Sequence, residues 1–220
     1  ADLQVDGQLL LGPGQTTGWN NVAIGAAGQL NGGSGLISLS GNFANGGSFT
    51  AGTGEVRSVD GCGATRSAFT GNTQFYRLLA STTTGRTLVL QSGFTQTVTG
   101  ALTLSGAPGN LLQVRSSTQG TAANLNLVPG ATQQIGYVDV ADNHATGQVI
   151  GQGTLASFNS VMGPNTSRWF VPNAGGGVGT VTPVPTLGGW GMLGVLAALV
   201  LGAWRRPRPR PSLCQDNQAQ

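Results

Sequence analysis

The chain has 220 residues, of which only 8% are charged, 38 are glycine and none is lysine. An average globular protein has about 25% charged residues and ~7% glycine, so this composition argues against an ordinary cytosolic enzyme. Arginines and acidic residues cancel over residues 1–187, and the whole net charge of +3 arises in the C-terminal tail. The body therefore lacks the basic footprint that nucleic-acid binding requires, and we expect no nucleic-acid partner.

The chain begins with ADLQVDG, which has no Met, no basic segment and no apolar segment, so it shows no signal peptide. Leu3, Val5 and residues 9–11 already have the character of strand residues. Because the C-terminal end described below indicates export, we expect an N-terminus that is processed or truncated, with more of the fold upstream.

Short apolar clusters between Gly and Asn residues fill the first 50 positions. They are LLLG at 9–12, VAIG at 22–25, GLISLSG at 35–41, and Phe43 and Phe49 in NFANGGSFTAG. Apolar and polar residues alternate within them, which predicts strands of about four to six residues separated by tight turns.

The middle of the chain continues this pattern, with strands predicted to start near positions 56, 75, 88, 102, 112, 125 and 135. Many short strands at near-regular spacing are typical of a sandwich, a barrel or a solenoid. Gly and Asn at most turns, few charges and no long loop favour the solenoid. In that fold two or three strands make one coil of about 20 to 30 residues, which packs only against its neighbours.

The stretches GSFTAGTGEVRSVDG, FTGNTQFYRLLAS, RTLVLQSGF and IGYVDVADNHATG resemble the Gly/Asn/Thr-rich repeats of bacterial adhesin and autotransporter passenger domains. The resemblance covers roughly residues 30–150 and implies an all-β body folded as a right-handed parallel β-helix. Its motifs are degenerate, so it implies no ligand site.

Residues suited to chemistry are scarce, with one histidine, His144, and one glutamate, Glu55. General acid-base catalysis needs positioned pairs of titratable groups. The one cluster is Asp139, Asp142, Asn143 and His144 in YVDVADNH, where a strand end followed by an Asx-rich turn is the structural interpretation.

Two further features of residues 1–172 concern a possible reactive thiol and the C-terminal limit of the exported domain. Cys62 in DGCGA has no His or Asn nearby that would make it a reactive thiol, and we predict no metal site and no cofactor. After residue 151 the strand pattern loosens, and Trp169 and Phe170 are expected to cover the last coil, because a solenoid needs such a cap. We therefore place the exported domain at residues 1–172, followed by a Gly/Pro/Thr linker at 173–183.

Residues 187–204 carry no charge, and as a helix they would span about 27 Å, close to the hydrocarbon core of a bilayer. Trp190 and Trp204 lie near the two ends, where aromatic rings favour the membrane interface. The arginines that follow, Arg205, Arg206, Arg208 and Arg210, are expected on the cytoplasmic side as a stop-transfer signal, with residues 211–220 as a polar cytoplasmic tail.

Other interpretations of this segment are less consistent with its residues. Five glycines in the apolar run would each cost up to ~1 kcal/mol in a buried core helix. Gly194, Ala198 and Gly202 form a small-residue face that could pair two helices, but a span built for cleavage explains the glycines better. A nucleic-acid-binding arm explains the arginines less well than a topology signal does. Cys214 is expected on the cytoplasmic side of the membrane and Cys62 on the outer side, so we predict no disulfide between them.

The segment Val184, Pro185, Thr186, Leu187 and Trp190, followed by apolar residues and Arg-Arg, resembles the IPTL-CTERM sorting signal of bacterial surface proteins. That family is related to the PEP-CTERM signals handled by exosortases. The resemblance covers residues 184–210, and it departs from the usual form in its first residue and in a glycine pair where Ser-Glu is common. It implies insertion in the inner membrane during export, cleavage near the motif by a membrane-embedded cysteine protease, and transfer of the body to the cell surface.

Two classes of function follow as alternatives. The first is a non-enzymatic, adhesin-like surface or extracellular-matrix module, whose partners are an exosortase-type protease, transiently the inner membrane, and a surface polysaccharide or matrix. The second is a carbohydrate-active β-helix enzyme with Asp139, Asp142 and His144 in one groove. A third hypothesis, an uncleaved single-pass membrane protein, differs only in the fate of the tail. Scarcity of catalytic residue types favours the first.

Overall fold

The computed structural model describes residues 1–14, 16–61 and 63–172, and these residues form a parallel β-solenoid of about seven turns. The first ten strands in chain order are β1 (Leu3–Val5), β2 (Gln8–Leu10), β3 (Thr16–Trp19), β4 (Val22–Ile24), β5 (Gln29–Asn31), β6 (Leu36–Leu39), β7 (Phe43–Asn45), β8 (Ser48–Thr50), β9 (Glu55–Ser58) and β10 (Arg66–Thr70). The next ten are β11 (Thr73–Ser81), β12 (Arg86–Leu90), β13 (Thr95–Ser105), β14 (Leu112–Ser116), β15 (Ala123–Leu127), β16 (Thr132–Gly136), β17 (Val138–Val140), β18 (Asn143–Ala145), β19 (Val161–Met162) and β20 (Thr166–Ser167). A single turn of 3-10 helix lies at Ala156–Phe158.

The strands form three parallel sheets, of which two run the length of the solenoid. The first sheet is β1-β4-β7-β10-β12-β14-β17-β19 and the second is β20-β18-β15-β13-β11-β9-β6-β3, with β16 also paired to β13. The third sheet, β2-β5-β8, covers only the first three coils. A strand therefore pairs with strands one coil away rather than with its neighbour in sequence, as the predicted solenoid requires.

Register confirms the predicted coil length. Leu3 in β1 lies beside Val22 in β4, which lies beside Phe43 in β7. Bonded partners one coil apart are separated by 19 residues at Asp2 and Asn21 and by 26 residues at Asn42 and Ala68. Both separations lie within, or just below, the predicted range of about 20 to 30 residues.

Along most strands, every second side chain points into a core that is continuous from coil to coil. Its largest aromatic group consists of Phe43, Phe49, Phe69 and Phe75, whose ring centroids lie 5.3 to 5.9 Å apart. Three of these four side chains are fully buried. Most apolar residues of the predicted clusters therefore line the interior, whereas Leu10 of the first cluster is 71% exposed.

The single strand predicted over QIGYVDV is wrong in one respect. Tyr137 has a φ of 53°, in the left-handed region, and the chain bends there. β16 consequently pairs in the second sheet, whereas β17 pairs in the first sheet.

Trp169 and Phe170 close the C-terminal end of the solenoid, as the sequence predicts. Both are buried, at 2% and 5% exposure, and Trp169 is bridged in parallel to Ile150. Phe158, from the turn of 3-10 helix, packs on Phe170 with ring centroids 5.6 Å apart. The last coil thus presents aromatic rings instead of an open apolar interior.

Candidate functional site

The residues predicted to direct sorting lie outside the described part of the chain. They are Val184, Pro185, Thr186, Leu187 and Trp190 of the motif, and Arg205, Arg206, Arg208 and Arg210 after the apolar run. The linker, the apolar run itself and Cys62 lie outside it as well. Within residues 1–14, 16–61 and 63–172, no helix has the length and apolar character needed to cross a membrane.

The acidic cluster of YVDVADNH is divided between two sheets. Asp139 lies in β17, and its carboxylate forms an ion pair with Arg115, 2.5 Å between Oδ2 and Nη2. His144 lies in β18, in the second sheet, beside Asn124 of β15 and Ser167 of β20. The enzyme hypothesis needs Asp139 and His144 in one groove, but these elements place them on different faces of the solenoid.

Asp142 and His144 are connected through a third residue, Asn165, which the sequence pattern did not predict. Asn165 donates from Nδ2 to Asp142 Oδ1 at 2.9 Å, and its Oδ1 lies 3.3 Å from His144 Nε2. The hydrogen bond from Asn165, followed by that from the backbone of Gly120, holds the pKa of Asp142 below its ordinary value. Asp142 therefore stays ionised at neutral pH, as a turn residue with a φ of 52°.

Asn143 belongs to the end of the solenoid, not to a catalytic group. It is fully buried, and its Oδ1 accepts a hydrogen bond from Trp169 Nε1 at 3.2 Å. The expected Asx-rich turn is thus confirmed for Asp142 alone, because Asn143 and His144 form the next strand. In the described part of the chain, no group of three or more His, Cys, Asp or Glu residues is placed to hold a metal ion.

A polar groove of about 250 Å³ lies at the corner between the third and second sheets, and we call it the corner groove. Its polar side chains are Thr16, Ser34, Thr53, Glu55, Arg57 and Arg77. The first three coils bend there at stacked glycines. Gly52 has a φ of 59°, and a Cβ on it would lie 2.0 Å from the carbonyl oxygen of Gly33, so only glycine fits.

The groove ends where the fourth coil departs from this pattern. β11 runs through the corner without a turn, and a β-bulge in β13 places Thr99 and Gly100 opposite the single residue Tyr76. The Tyr76 ring lies against Gly100, where a Cβ would come within 2.8 Å of the ring. Arg77 follows at once, in register with Glu55 of the preceding coil.

Charge in the corner groove is unevenly compensated. Arg57 binds Glu55 with two nitrogens, Nε at 2.8 Å and Nη2 at 2.7 Å from Oε1. Arg77 has no carboxylate within ion-pair distance among the described residues, and its guanidinium lies 5.4 Å from the centroid of the Tyr76 ring. This site could not be predicted from the sequence, because Glu55 and Arg77 become neighbours only through the register of β9 and β11.

The chain matches no family model, no curated protein and no solved structure.

A second polar site lies inside the solenoid, around Arg86. This residue is 4% exposed and occupies an inward position, in register with Leu112 of the next coil. Its guanidinium donates to the carbonyl oxygens of Ser40 and Val59 and, at 2.5 Å, to Ser67 Oγ. Burial lowers the pKa of Arg86, partly offset by Asp60, but an arginine at this site still carries its proton at neutral pH.

Asp60 lies near Arg86 at the surface of the same corner. Its Oδ2 accepts hydrogen bonds from the backbone N–H of Thr83 at 2.7 Å and from the Thr83 hydroxyl at 3.2 Å. Burial opposes ionisation, but bonds from Thr82, Thr83 and Thr84 together outweigh it and hold the pKa of Asp60 below its ordinary value. The carboxylate anchors the loop between β11 and β12.

Proposed function

We propose that this protein is an exported, non-enzymatic surface module of adhesin-like character, delivered through its C-terminal signal. The observation that carries the proposal is that all six carboxylates of residues 1–172 are engaged in hydrogen bonds within the protein. Each of the six accepts a hydrogen bond from the protein itself. Four of the donors, Asn21, Thr83, Arg115 and Asn165, lie on a neighbouring coil, and two, Gln4 and Arg57, lie two residues away.

These contacts support a structural role because acid-base catalysis needs titratable groups that face a substrate together. Asp139 is held by Arg115, and Asp142 is held by Asn165. A stack of coils with polar outer faces instead offers long, repetitive surfaces for binding, which is how solenoid proteins generally engage partners.

The proposal extends to the parts of the chain beyond the described residues. Residues 173–183 act as a linker, residues 184–210 insert in the inner membrane with the arginines inside, and an exosortase-type protease cuts near Val184 to Trp190. We also take the coil to be right-handed, because parallel strand crossovers are right-handed in about 98% of cases.

The first test is mass spectrometry of the C-terminus of the protein recovered from the surface of whole cells that express it with its own export system. We expect a last residue between positions 184 and 190 and no peptides from the arginine-rich tail. Tail peptides from residues 201–220 still attached to the surface protein would establish a permanent anchor and overturn cleavage.

A pair of double variants sharpens this test. Replacing Pro185 and Thr186 by Ala should leave uncleaved protein in the inner membrane. Replacing Thr182 and Pro183, the same residue types just upstream of the motif, should leave processing unchanged. Equal processing of both variants would contradict a role for the motif.

A further inference from the structure

The corner groove holds a positive charge that the protein itself leaves uncompensated. Glu55 is neutralised by Arg57, so Arg77 is the cation available to a ligand. Arg77 is exposed, and the Tyr76 ring beneath it limits where its guanidinium can lie. A guanidinium held in this way is suited to a carboxylate, which it binds through two parallel N–H···O bonds.

Hydroxyl groups line the rest of the groove. Thr16, Ser34 and Thr53 are exposed and lie on successive coils. Ser34 Oγ already accepts a hydrogen bond from the backbone N–H of Gly14 at 3.2 Å, which leaves its own proton free to donate outward. An acidic sugar carries hydroxyl groups and a carboxylate, and the groove offers partners for both.

The groove also has the shape for an extended chain. It crosses four coils, from Thr16 in β3 to Arg77 in β11, at about 4.8 Å per coil. Stacked glycines at the corner carry no side chains that would block a polymer lying along the axis. A chain of sugars parallel to the solenoid axis therefore meets new polar groups at each coil.

Nucleic acid is a poor fit to the same groove. Phosphate backbones are bound by many cationic side chains along the strand. Here one arginine is free, a glutamate lies in the same groove, and the charges of residues 1–187 cancel. A polymer with widely spaced carboxylates therefore fits the charges of the groove better than a densely charged polyanion does.

We propose that the corner groove binds an acidic polysaccharide, with a uronate carboxylate on Arg77 and sugar hydroxyls on Thr16, Ser34 and Thr53. This inference deepens the proposed function, because it names the ligand class of the surface module. It assigns recognition to the first four coils and gives the C-terminal coils no part in binding.

The test is isothermal titration calorimetry of the full-length chain with a short uronic acid oligomer, its methyl ester and a sulfated glycan. The methyl ester keeps the sugar chain and removes its charge, so we expect binding of the free acid alone. Arg77→Gln should weaken binding about tenfold, and Arg77→Lys should retain part of it. Arg66→Gln, which removes an exposed arginine from the first sheet, should leave the affinity unchanged.

Added salt should weaken the interaction, because the carboxylate and Arg77 meet at the protein surface. Equal binding of the acid and the ester, equal affinities of Arg77→Gln and wild type, or preference for the sulfated glycan would each overturn the ligand class. Those results leave surface delivery untouched, since delivery is measured by the C-terminal mass on whole cells. Loss of delivery with intact uronate binding would overturn the proposed function but leave the ligand class of the corner groove supported.

Discussion

The buried Arg86 side chain donates hydrogen bonds to residues of several preceding coils. It belongs to β12, yet it donates to Ser40, Val59 and Ser67, which lie on the two preceding corners and in β10. One of these acceptors, Ser67, is buried, and the other two are partly buried. The interior at this corner is therefore specified by hydrogen-bond geometry, whereas the next coil fills the equivalent position with Leu112.

We predict that Arg86→Met lowers the free energy of unfolding by roughly 3 kcal/mol, because Ser67 Oγ and the carbonyl oxygens of Ser40 and Val59 lose a charged donor. Arg86→Lys should recover only part of the loss, since an ammonium group cannot reproduce the planar fork. Urea unfolding followed by circular dichroism measures both, with Arg66→Met on the exposed face of the same sheet as the control. Wild-type stability in Arg86→Met would contradict the assigned role.

The low pKa of Asp60 links stability to pH. A carboxyl group whose folded pKa lies below its unfolded value, near 3.9, stabilises the protein above that value. The stabilisation is lost as the pH falls through the folded pKa. We predict that Asp60→Asn reduces the fall in melting temperature between pH 7 and pH 3, because the amide accepts from Thr83 at either pH. An unchanged fall in this variant would show that Asp60 does not contribute.

At the scale of the element, a ladder of side chains joins the corners before β1, β4 and β7 and ends in β10. Asp2 Oδ1 accepts from Asn21 N–H at 3.1 Å, Asn21 Oδ1 from Asn42 N–H at 2.8 Å, and Asn42 Oδ1 from Ala68 N–H at 2.8 Å. Each side chain thus satisfies a backbone donor one coil further on. The ladder fixes the axial register of the first four strands of the first sheet.

We predict that Asn42→Ala speeds hydrogen exchange at the Ala68 amide and costs about 1 kcal/mol of stability, the usual net contribution of one hydrogen bond. Hydrogen exchange read by mass spectrometry of peptides covering β10 measures the local effect. Asn124→Ala is the matched control, because the side chain of Asn124 makes no hydrogen bond in the described structure. Equal exchange in both variants would rule out the ladder.

The strands could be predicted from the sequence, but the positions of some polar residues could not. Alternating apolar residues predicted the strands around Val56, Leu88 and Val114, since inward positions of a solenoid must be apolar. The same rule failed at Arg86, because burial of a charge depends on acceptors that other coils supply. It also could not separate Asp139 from His144, since the bends between them depend on backbone angles that non-glycine residues rarely adopt.

For the molecule as a whole, the C-terminal end is closed by a specific cap. Trp169 covers the last coil and donates to the buried Asn143, while Phe158 and Phe170 pack beside it. Without a cap, a solenoid exposes apolar surface and unpaired strand edges, which favour association between molecules. The cap should therefore govern both stability and solubility.

We predict that Trp169→Ala lowers the free energy of unfolding by about 3 to 5 kcal/mol and promotes self-association, because the interior of the last coil becomes accessible. Trp169→Phe should restore most of the packing but leave Asn143 Oδ1 without its donor, at a cost of about 1 to 3 kcal/mol. Thermal unfolding and sedimentation velocity measure the two effects. Phe94→Ala, at an aromatic residue that is 36% exposed, is the control and should change neither. A Trp169→Ala protein that stays monomeric and as stable as wild type would show that the solenoid does not depend on this cap.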